Sequence, residues 1–562
     1  MMNHAIYADA VPHADPAAIA ANKCFAKDAA SNEPLHRLSI SHGTLEPYAN
    51  IDDAILRANG HDQVLKRQFS WVSALGLSFS ITNSWIGYLF PLKSNFGQNL
   101  IYGGPQSCIF GLLVAFAAQL VITLGLGEIA SAFPSTGGQY HFCYILSSPN
   151  TRRFAGYLIG WMSMLAWWIV TVLRCSGISL FSMTLAGMIQ FWHPGFEGTQ
   201  WQIYLIYVGT ATVTVLPVIS ASQKITFIVQ LSLYSSVLGF LVLLFVAIAL
   251  HKQSQPASFL TQSGLGSRRW PAGIAWTLGI ANAMYAFGGT DDVIHISEEM
   301  PHPGRRVPQV MMLTMIIGLA TAFPLFLSLM FYMKDFAAVI SSRLPSLELI
   351  NQVVRTGNDK VTLPLFAYIL FVYLVCLPSQ WVTSGRLAWA FARDRGVPFS
   401  SYFANVDSKR HLPIRTTVAS YVFACLYGLL YLVSTSAFNS IVTSAVLFLN
   451  ITYAAPQAIL LFRGRQRCLP RRYFNLGWAG YVCNILSILW ILVLLVFICM
   501  PPSLPATPAS MNYTAVVLVG LLFVVVSLWY MDRNKTFQGP EIDWDMIRSL
   551  NSSRAGAAND AR

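Results

Sequence analysis

Long apolar segments separated by short polar loops make up most of the chain from residue 70 onwards. A helix needs about 20 mostly apolar residues to cross a bilayer. Twelve segments come close to or exceed that length, and we number them spans one to twelve: 70–92, 103–131, 154–188, 201–219, 225–250, 271–297, 307–331, 362–391, 414–434, 438–461, 477–500 and 511–531. The pattern predicts an all-α integral membrane protein with twelve transmembrane helices.

Span six contains a stretch that interrupts its helical pattern. Its apolar first half is followed by Phe287, Gly288, Gly289, Thr290 and Asp291. Each glycine costs a helix interior about 1 kcal/mol relative to alanine, and a carboxylate at membrane depth is costly unless it faces protein or water. Unwound backbone is tolerated in a bilayer only where it is buried in protein or lines a cavity. We therefore predict that span six is broken here and that the break forms a binding site.

Span one has a similar interruption, because small and polar residues occupy positions 78–87. Two interrupted helices five spans apart predict an inverted repeat of residues 70–250 and 271–461, with residues 477–531 outside it. No sequence identity between the two halves is evident. The predicted substrate-binding residues of span one are Thr82, Asn83, Ser84, Trp85 and Gly87.

Composition supports the membrane assignment and excludes other classes. The sequence has 562 residues, and only 11% of them are charged, whereas an average soluble domain has about 25%. The net charge of +12 could indicate a nucleic-acid partner, but the basic residues lie in short loops between apolar segments. The nine cysteines form no CxxC pair, so we expect no disulfide framework, metal site or cofactor.

The loop charges also predict the orientation of the chain. Basic residues are concentrated in the loops that lie inside when both termini are cytosolic, and loop 251–270 then lies outside. We expect 1–69 to be a largely disordered cytosolic tail without a cleaved signal peptide, and 532–562 to be a cytosolic tail. The plasma membrane is the predicted location, with the vacuolar membrane as the alternative.

The end of span two carries a motif. Gly127 and Glu128 precede Pro134, and the loop then reads Gly-Gly-Gln-Tyr at 137–140. The motif resembles the signature of the amino acid–polyamine–organocation permeases, in which G-E-x5-P is followed by a GG-x-Y turn. The resemblance implies a five-plus-five inverted repeat with broken helices one and six, and uptake driven by an ion gradient.

Two further motifs extend this resemblance over about residues 60–535. The loop 392–398 after span eight is similar to the family's A-R-D-x-G-x-P loop. The second half of span six is similar to a pattern of the fungal choline/GABA branch, and it is matched here by Phe287, Gly289, Asp291, His295, Glu298 and Glu299.

Three of these residues are candidates for coupling or gating, and each has a structural alternative. Glu128 either ends a helix in a pair with a loop arginine or handles protons. His295 is either a buried structural histidine or a proton relay, since its ordinary titration range lies near neutral pH. Glu298 is expected to form an ion-pair latch with Arg305 or Arg306 rather than to contact substrate.

Aromatic residues in span three offer a wall for the site. Trp161, Trp167 and Trp168 either form an interfacial belt and ordinary packing, or supply one ring to the binding site. We take Trp168 as the candidate. A ring of this kind would suit an ammonium group through a cation–π contact.

The predicted breaks suggest how a substrate binds. The half-helix near Ser84 would offer backbone N–H groups to a carboxylate, and Asp291 would attract an ammonium group. An amino acid or GABA would satisfy both ends, whereas choline would use only the negative and aromatic side. We predict a permease, not an enzyme, that imports an amino acid or GABA by proton symport, with a choline or quaternary-amine permease as the alternative.

Two observations bear on other possibilities. Proton-coupled members of the family often carry a lysine inside span five, but residues 225–250 contain no charged residue and Lys224 only begins the span. Asp291, His295 or Glu128 would then have to carry the proton. A nutrient sensor would need a long folded cytosolic domain, and a membrane enzyme would need a catalytic constellation at one face; neither stands out.

Overall fold

The computed structural model describes residues 56–545, except 59, 61–63, 90–95, 174–177, 194, 263, 267–269, 343, 355–358, 471, 502–503, 508–510 and 544. Most of the predicted N-terminal tail and the end of the C-terminal tail therefore lie outside the described residues. Within them, the chain forms helices and loops, and β-pairing is limited to one isolated bridge between Asp407 and Leu412. The prediction of an all-helical membrane protein is confirmed for this part of the chain.

Ten helices in the described part are long and apolar enough to cross a bilayer. They correspond to spans two to five and seven to twelve, at Phe96–Ala132, Arg152–Val172, Gln200–Ser220, Ser222–Leu250, Pro303–Phe331, Val361–Arg393, Ile414–Val433, Thr443–Arg463, Ala479–Phe497 and Thr514–Met531. Spans one and six do not reach this length, because each is interrupted. The count of twelve spans and the inverted repeat remain predictions.

Span one consists of two helices, Trp71–Thr82 and Ser84–Leu89. Ser70 caps the first helix, because its Oγ accepts a hydrogen bond from the backbone N–H of Ser73 at 3.2 Å. The two helices are separated by Asn83, whose backbone has a positive φ of 29°. Asparagine reaches this region more easily than most residues, and the interruption falls inside the stretch where the sequence predicted it.

Span six is interrupted over a longer stretch. Its α-helix Ala272–Ala283 continues as a 3-10 helix over Met284–Phe287, and a second 3-10 helix runs over Asp292–Glu299. Residues 288–291 between them are not helical. Gly289 has a φ of 84°, a value that is unfavourable for residues other than glycine. The local chemistry of the two glycines therefore breaks the helix at the predicted position.

Other spans also depart from simple rods. Span two is kinked at Gly104, just before Pro105, and span eight is divided into the helices Asp359–Cys376 and Pro378–Arg393. The kinks occur where proline removes a backbone donor. The remaining bounds are Arg152–Leu173 and Ile178–Trp192 in span three, Thr435–Arg463 in span ten, and the loop helices Gln139–Leu146, Ala257–Thr261, Phe336–Ser341, Pro345–Val354, Ser400–Phe403, Arg465–Cys468 and Asn534–Thr536.

The packing of the spans encloses the two breaks. Span two packs against spans six and seven, span five packs against span one, and span three packs against spans eight and ten. Span twelve lies outside this group and exposes Val516, Val519 and Phe523. Apolar side chains on an outer surface of this kind suit contact with lipid.

Candidate functional site

The two breaks lie side by side in the interior of the bundle. The helix Ser84–Leu89 packs against Met284–Phe287, and the helix Trp71–Thr82 packs against Asp292–Glu299. Thr82, Asn83, Ser84 and Trp85 are fully buried. The broken backbone of span one therefore faces that of span six, as a shared binding site requires.

Asp291 is the last residue of the break in span six and is fully buried. Its Oδ2 accepts hydrogen bonds from Gln139 Nε2 at 2.7 Å and from Trp167 Nε1 at 3.0 Å. Its Oδ1 accepts a hydrogen bond from the hydroxyl of Tyr453, and His295 Nε2 lies 3.3 Å from Oδ2. Four side chains from the loop after span two and from spans three, six and ten thus surround this carboxylate, and we call these five residues the Asp291 cluster.

Asp292 is equally buried but is held differently. Its Oδ1 accepts a hydrogen bond from the backbone N–H of Val293 at 2.5 Å, which begins the second 3-10 helix. Its Oδ2 has no hydrogen-bond partner among the residues that the structure describes. Ser78 of span one lies beside this carboxylate. A buried carboxylate oxygen without a donor is costly, so Asp292 would favour a positively charged hydrogen-bond donor at this position.

The end of span six is fixed by two ion pairs, one buried and one partly buried. Arg393 donates from Nη1 and Nη2 to the two oxygens of Glu298, both at 3.0 Å, and Arg386 donates from Nε and Nη2 to Glu299. Bidentate pairs of this kind are among the stronger side-chain contacts. We call these four residues the Glu–Arg cluster. The prediction that Glu298 pairs with Arg305 or Arg306 is wrong. Its partner is Arg393, because span eight reaches the glutamates from across the bundle.

Comparison with known proteins identifies the family. A family model of amino acid permeases matches residues 69–523. A choline transporter of Saccharomyces cerevisiae is 30% identical to this chain, and the match covers 92% of the chain and 90% of the transporter. The chain belongs to the amino acid permease family. This membership confirms the resemblance to the amino acid–polyamine–organocation permeases and identifies the chain as a membrane permease.

Other relatives of this permease carry different transporter names. An amino-acid permease of Arabidopsis thaliana is 25% identical, over 86% of the chain and 95% of that relative. A 7-keto 8-aminopelargonic acid transporter of Saccharomyces cerevisiae is also 25% identical, over 82% of the chain and 91% of that relative. The family therefore fixes the class of protein more firmly than the substrate.

Span five of the permease holds the break in span one through serine hydroxyls. Ser236 donates to Asn83 Oδ1 at 3.0 Å and accepts a hydrogen bond from Trp85 Nε1 at 3.0 Å. Ser80 donates to Ser232 at 2.7 Å. Span five therefore contacts the break through neutral groups rather than through a lysine.

Three predicted residues take part in structural contacts around the breaks. The Thr290 hydroxyl lies 3.1 Å from that of Thr123 in span two. Phe287 packs edge-on against Phe116, with ring centroids 5.5 Å apart. The backbone N–H of Gly87 donates to the carbonyl of Asn83 at 2.8 Å, which holds the start of the second helix of span one.

Glu128 lies away from the breaks, at the end of span two. It is fully buried and accepts hydrogen bonds from Arg465 and from Arg472, whose Nε lies 2.7 Å from Oε1. Burial lowers the pKa of the Arg472 guanidinium to about 10, which leaves it charged at neutral pH. Glu128 is thus paired with loop arginines, and a role in proton handling remains a prediction.

The structure also identifies site residues that the sequence did not select: Trp167 instead of Trp168, Gln139 and Tyr453. Trp168 packs against Phe423 of span nine, with ring centroids 5.2 Å apart, whereas its neighbour Trp167 contacts Asp291. Gln139 belongs to the Gly-Gly-Gln-Tyr turn, and Tyr453 lies on span ten. The signal for Tyr453 was the run of polar residues within an otherwise apolar span, since such residues usually face the interior of a membrane protein.

Proposed function

We propose that this permease is a secondary active transporter that imports a small ammonium-bearing solute, an amino acid or GABA, together with a proton. The observation that carries the proposal is the pair of fully buried carboxylates, Asp291 and Asp292, at the break in span six. Ionisable groups at membrane depth are expensive and mark the pathways of substrates and ions.

The two carboxylates offer different surroundings to an ammonium group. Both oxygens of Asp291 already accept hydrogen bonds, so direct contact with a substrate would displace one of these donors. Asp292 Oδ2 is unengaged within the described residues. We propose that the substrate ammonium meets Asp292 rather than Asp291.

The opposite end of the substrate would meet span one. A helix leaves its first N–H groups without intrahelical partners, and these groups attract a carboxylate. The helix that begins at Ser84 supplies such groups next to the break in span six. A relative named for an amino acid that carries both an amino and a carboxylic acid group supports a two-ended substrate.

Choline is the second candidate, and a specific observation favours it. The relative with 30% identity over 92% of the chain is named a choline transporter. Trp167 and Tyr453 contact Asp291 and bring aromatic rings next to this buried carboxylate. Aromatic rings bind quaternary ammonium groups through cation–π contacts. Choline would use this side of the site and leave the helix of span one unoccupied.

The proposed orientation has both termini in the cytosol. In that orientation the Glu–Arg cluster lies on the cytosolic side of the breaks, and its closed ion pairs correspond to a state shut towards the cytosol. Alternating access would then require these pairs to separate on the inward-facing side of the cycle. We propose the plasma membrane as the location, with the vacuolar membrane as the alternative.

The test is uptake in cells that lack the corresponding transporters. Cells expressing the permease are supplied with radiolabelled GABA, choline or an amino acid mixture at acidic and neutral external pH. The proposal expects saturable uptake of one class that is faster at acidic pH and is inhibited by a protonophore. Saturable binding to the purified permease without uptake of any probe would favour a nutrient sensor, and choline uptake alone would favour the second candidate.

A further inference from the structure

His295 is held between two acceptors within the Asp291 cluster. Its Nδ1 lies 2.9 Å from the backbone carbonyl of Thr136, and its Nε2 lies 3.3 Å from Asp291 Oδ2. Both His295 and Asp291 are fully buried. Gly138 lets the loop come this close, because a Cβ at that position would lie 2.9 Å from His295 Cε1.

These contacts fix the number of protons in the pair. A carbonyl oxygen can only accept, so the proton on Nδ1 is required by the contact with Thr136. Nε2 then faces the carboxylate of Asp291. If the ring were neutral and the carboxylate ionised, Nε2 would carry no proton, and two hydrogen-bond acceptors would face each other. The contact is satisfied by one further proton, carried either as an imidazolium facing a carboxylate or as an imidazole facing a carboxylic acid.

A second buried histidine shows why this arrangement is unusual. His141 also lies close to a carboxylate, with Nε2 2.7 Å from Asp394 Oδ2. Its Nδ1 faces the hydroxyl of Ser135, which can donate as well as accept. A neutral His141 can therefore accept from Ser135 and donate to Asp394, so no further proton is needed there.

We propose that Asp291 and His295 together form the proton-binding site of this permease, and that the backbone of Thr136 links the bound proton to the Glu–Arg cluster. This inference rests on the proposed proton symport and identifies the site that would carry it out. The proton is shared by the pair and is released to the side of the membrane that the open site faces.

The link to the Glu–Arg cluster runs through one short loop. The Thr136 carbonyl accepts from His295, while the Thr136 N–H donates to Glu298 Oε1 at 3.2 Å. Three residues further on, Gln139 donates to Asp291. Without the shared proton, His295 Nε2 and the Asp291 carboxylate face each other as two hydrogen-bond acceptors, and their repulsion pushes the two side chains apart. Because both residues are bonded to this loop, their separation displaces it and weakens its contact with Glu298.

Other charged and titratable groups around the pair set its environment. Asp292 lies next to Asp291 along the chain, and the Tyr453 hydroxyl contacts Asp291 from span ten. The ion pair of Glu298 with Arg393 lies beyond the backbone of Thr136, whose N–H donates to Glu298. In the proton-loaded state the pair carries no net charge, so it does not repel a cationic substrate that binds beside Asp292.

The test compares His295→Gln with the parent in proteoliposomes. Glutamine can still donate to the Thr136 carbonyl but cannot hold the shared proton. Accumulation of radiolabelled GABA or choline driven by a pH gradient is measured alongside exchange of the same probe without a gradient. We expect the accumulation rate of the parent to change by up to about tenfold per pH unit, as for a single proton site. The accumulation rate of His295→Gln should change by less than about twofold per pH unit, while its exchange activity persists.

Controls separate this inference from the proposed function. His141→Gln, normalised to protein content, should keep the pH dependence of the parent. Asp291→Asn should also flatten the pH dependence, and adding His295→Gln to it should have no further effect, because both residues hold the same proton. Parental pH dependence in His295→Gln would overturn the inference alone. Absence of both uptake and exchange in the parent would instead overturn the proposed function.

Discussion

The buried pair of Glu299 and Arg386 gives a stability prediction that can be worked out from its surroundings. Both side chains are almost completely shielded from solvent, with exposures of 1% and 0%. Arg386 Nη2 donates to Glu299 Oε2 at 3.0 Å, and Gln68 Nε2 donates to the same oxygen at 2.7 Å. We consider three variants: Arg386→Met, Glu299→Met, and the two substitutions together.

The expected costs of the three variants differ sharply. Removing one partner leaves the other charge buried and unpaired, which costs about 3–5 kcal/mol. That cost corresponds to a change of roughly two to three and a half decades in the equilibrium constant for unfolding. Replacing both partners by apolar side chains of similar volume is often neutral or stabilising by about 1–4 kcal/mol. The double variant should therefore be more stable than either single variant.

Thermal unfolding in detergent provides the assay. Cys108, Cys143, Cys376, Cys468 and Cys483 are buried, so their reaction with a thiol-reactive dye reports unfolding. Midpoint temperatures should be lowest for the single variants and close to the parent for the double variant.

The control variant is Arg305→Met, at the exposed arginine that the sequence favoured as a partner. Its effect should stay within about 0.5 kcal/mol, as for most surface substitutions. A double variant whose loss equals the sum of the two single losses would refute the argument, because the charges would then contribute independently.

Further predictions concern the breaks and the orientation. Gly288→Leu or Gly289→Leu should abolish uptake with normal surface expression, because a side chain would fill the site; normal uptake by both would place the site elsewhere. Asp292→Asn should weaken apparent substrate affinity by about 10- to 150-fold, the loss of a charge-assisted hydrogen bond of about 1.5–3 kcal/mol, with pH dependence retained. Asp291→Asn should instead flatten the pH dependence of uptake between about pH 5 and about pH 8, because it removes one member of the proposed proton-binding pair; equal effects on affinity from both variants would contradict this division. A cysteine at exposed Gln262 should react with an impermeant thiol reagent on intact cells, and labelling only after permeabilisation would reverse the proposed orientation.

The sequence predicted those features that depend on nearby residues. Hydropathy is a property of each segment, so the apolar spans could be located without knowledge of their neighbours. The break in span six follows from Gly288 and Gly289, which weaken the helix locally.

Only the tertiary structure decided which side chains meet. Asp291 contacts Gln139, Trp167 and Tyr453, which lie 152, 124 and 162 residues away along the chain. Hydropathy is similar for Trp167 and Trp168, but adjacent helical residues point in directions about 100° apart, so only one of them can face the break. The packing of the helices selects Trp167.

The ion pairs show the same limit. The sequence could place Glu298 and Glu299 at the end of span six, next to arginines that are close along the chain. It could not show that span eight passes the same point and brings Arg386 and Arg393 within hydrogen-bonding distance. Local sequence thus determined the spans and the breaks in the helices, whereas the partners of the buried charges were decided by how distant helices pack, because a buried charge must be paired by whatever side chain the fold brings beside it.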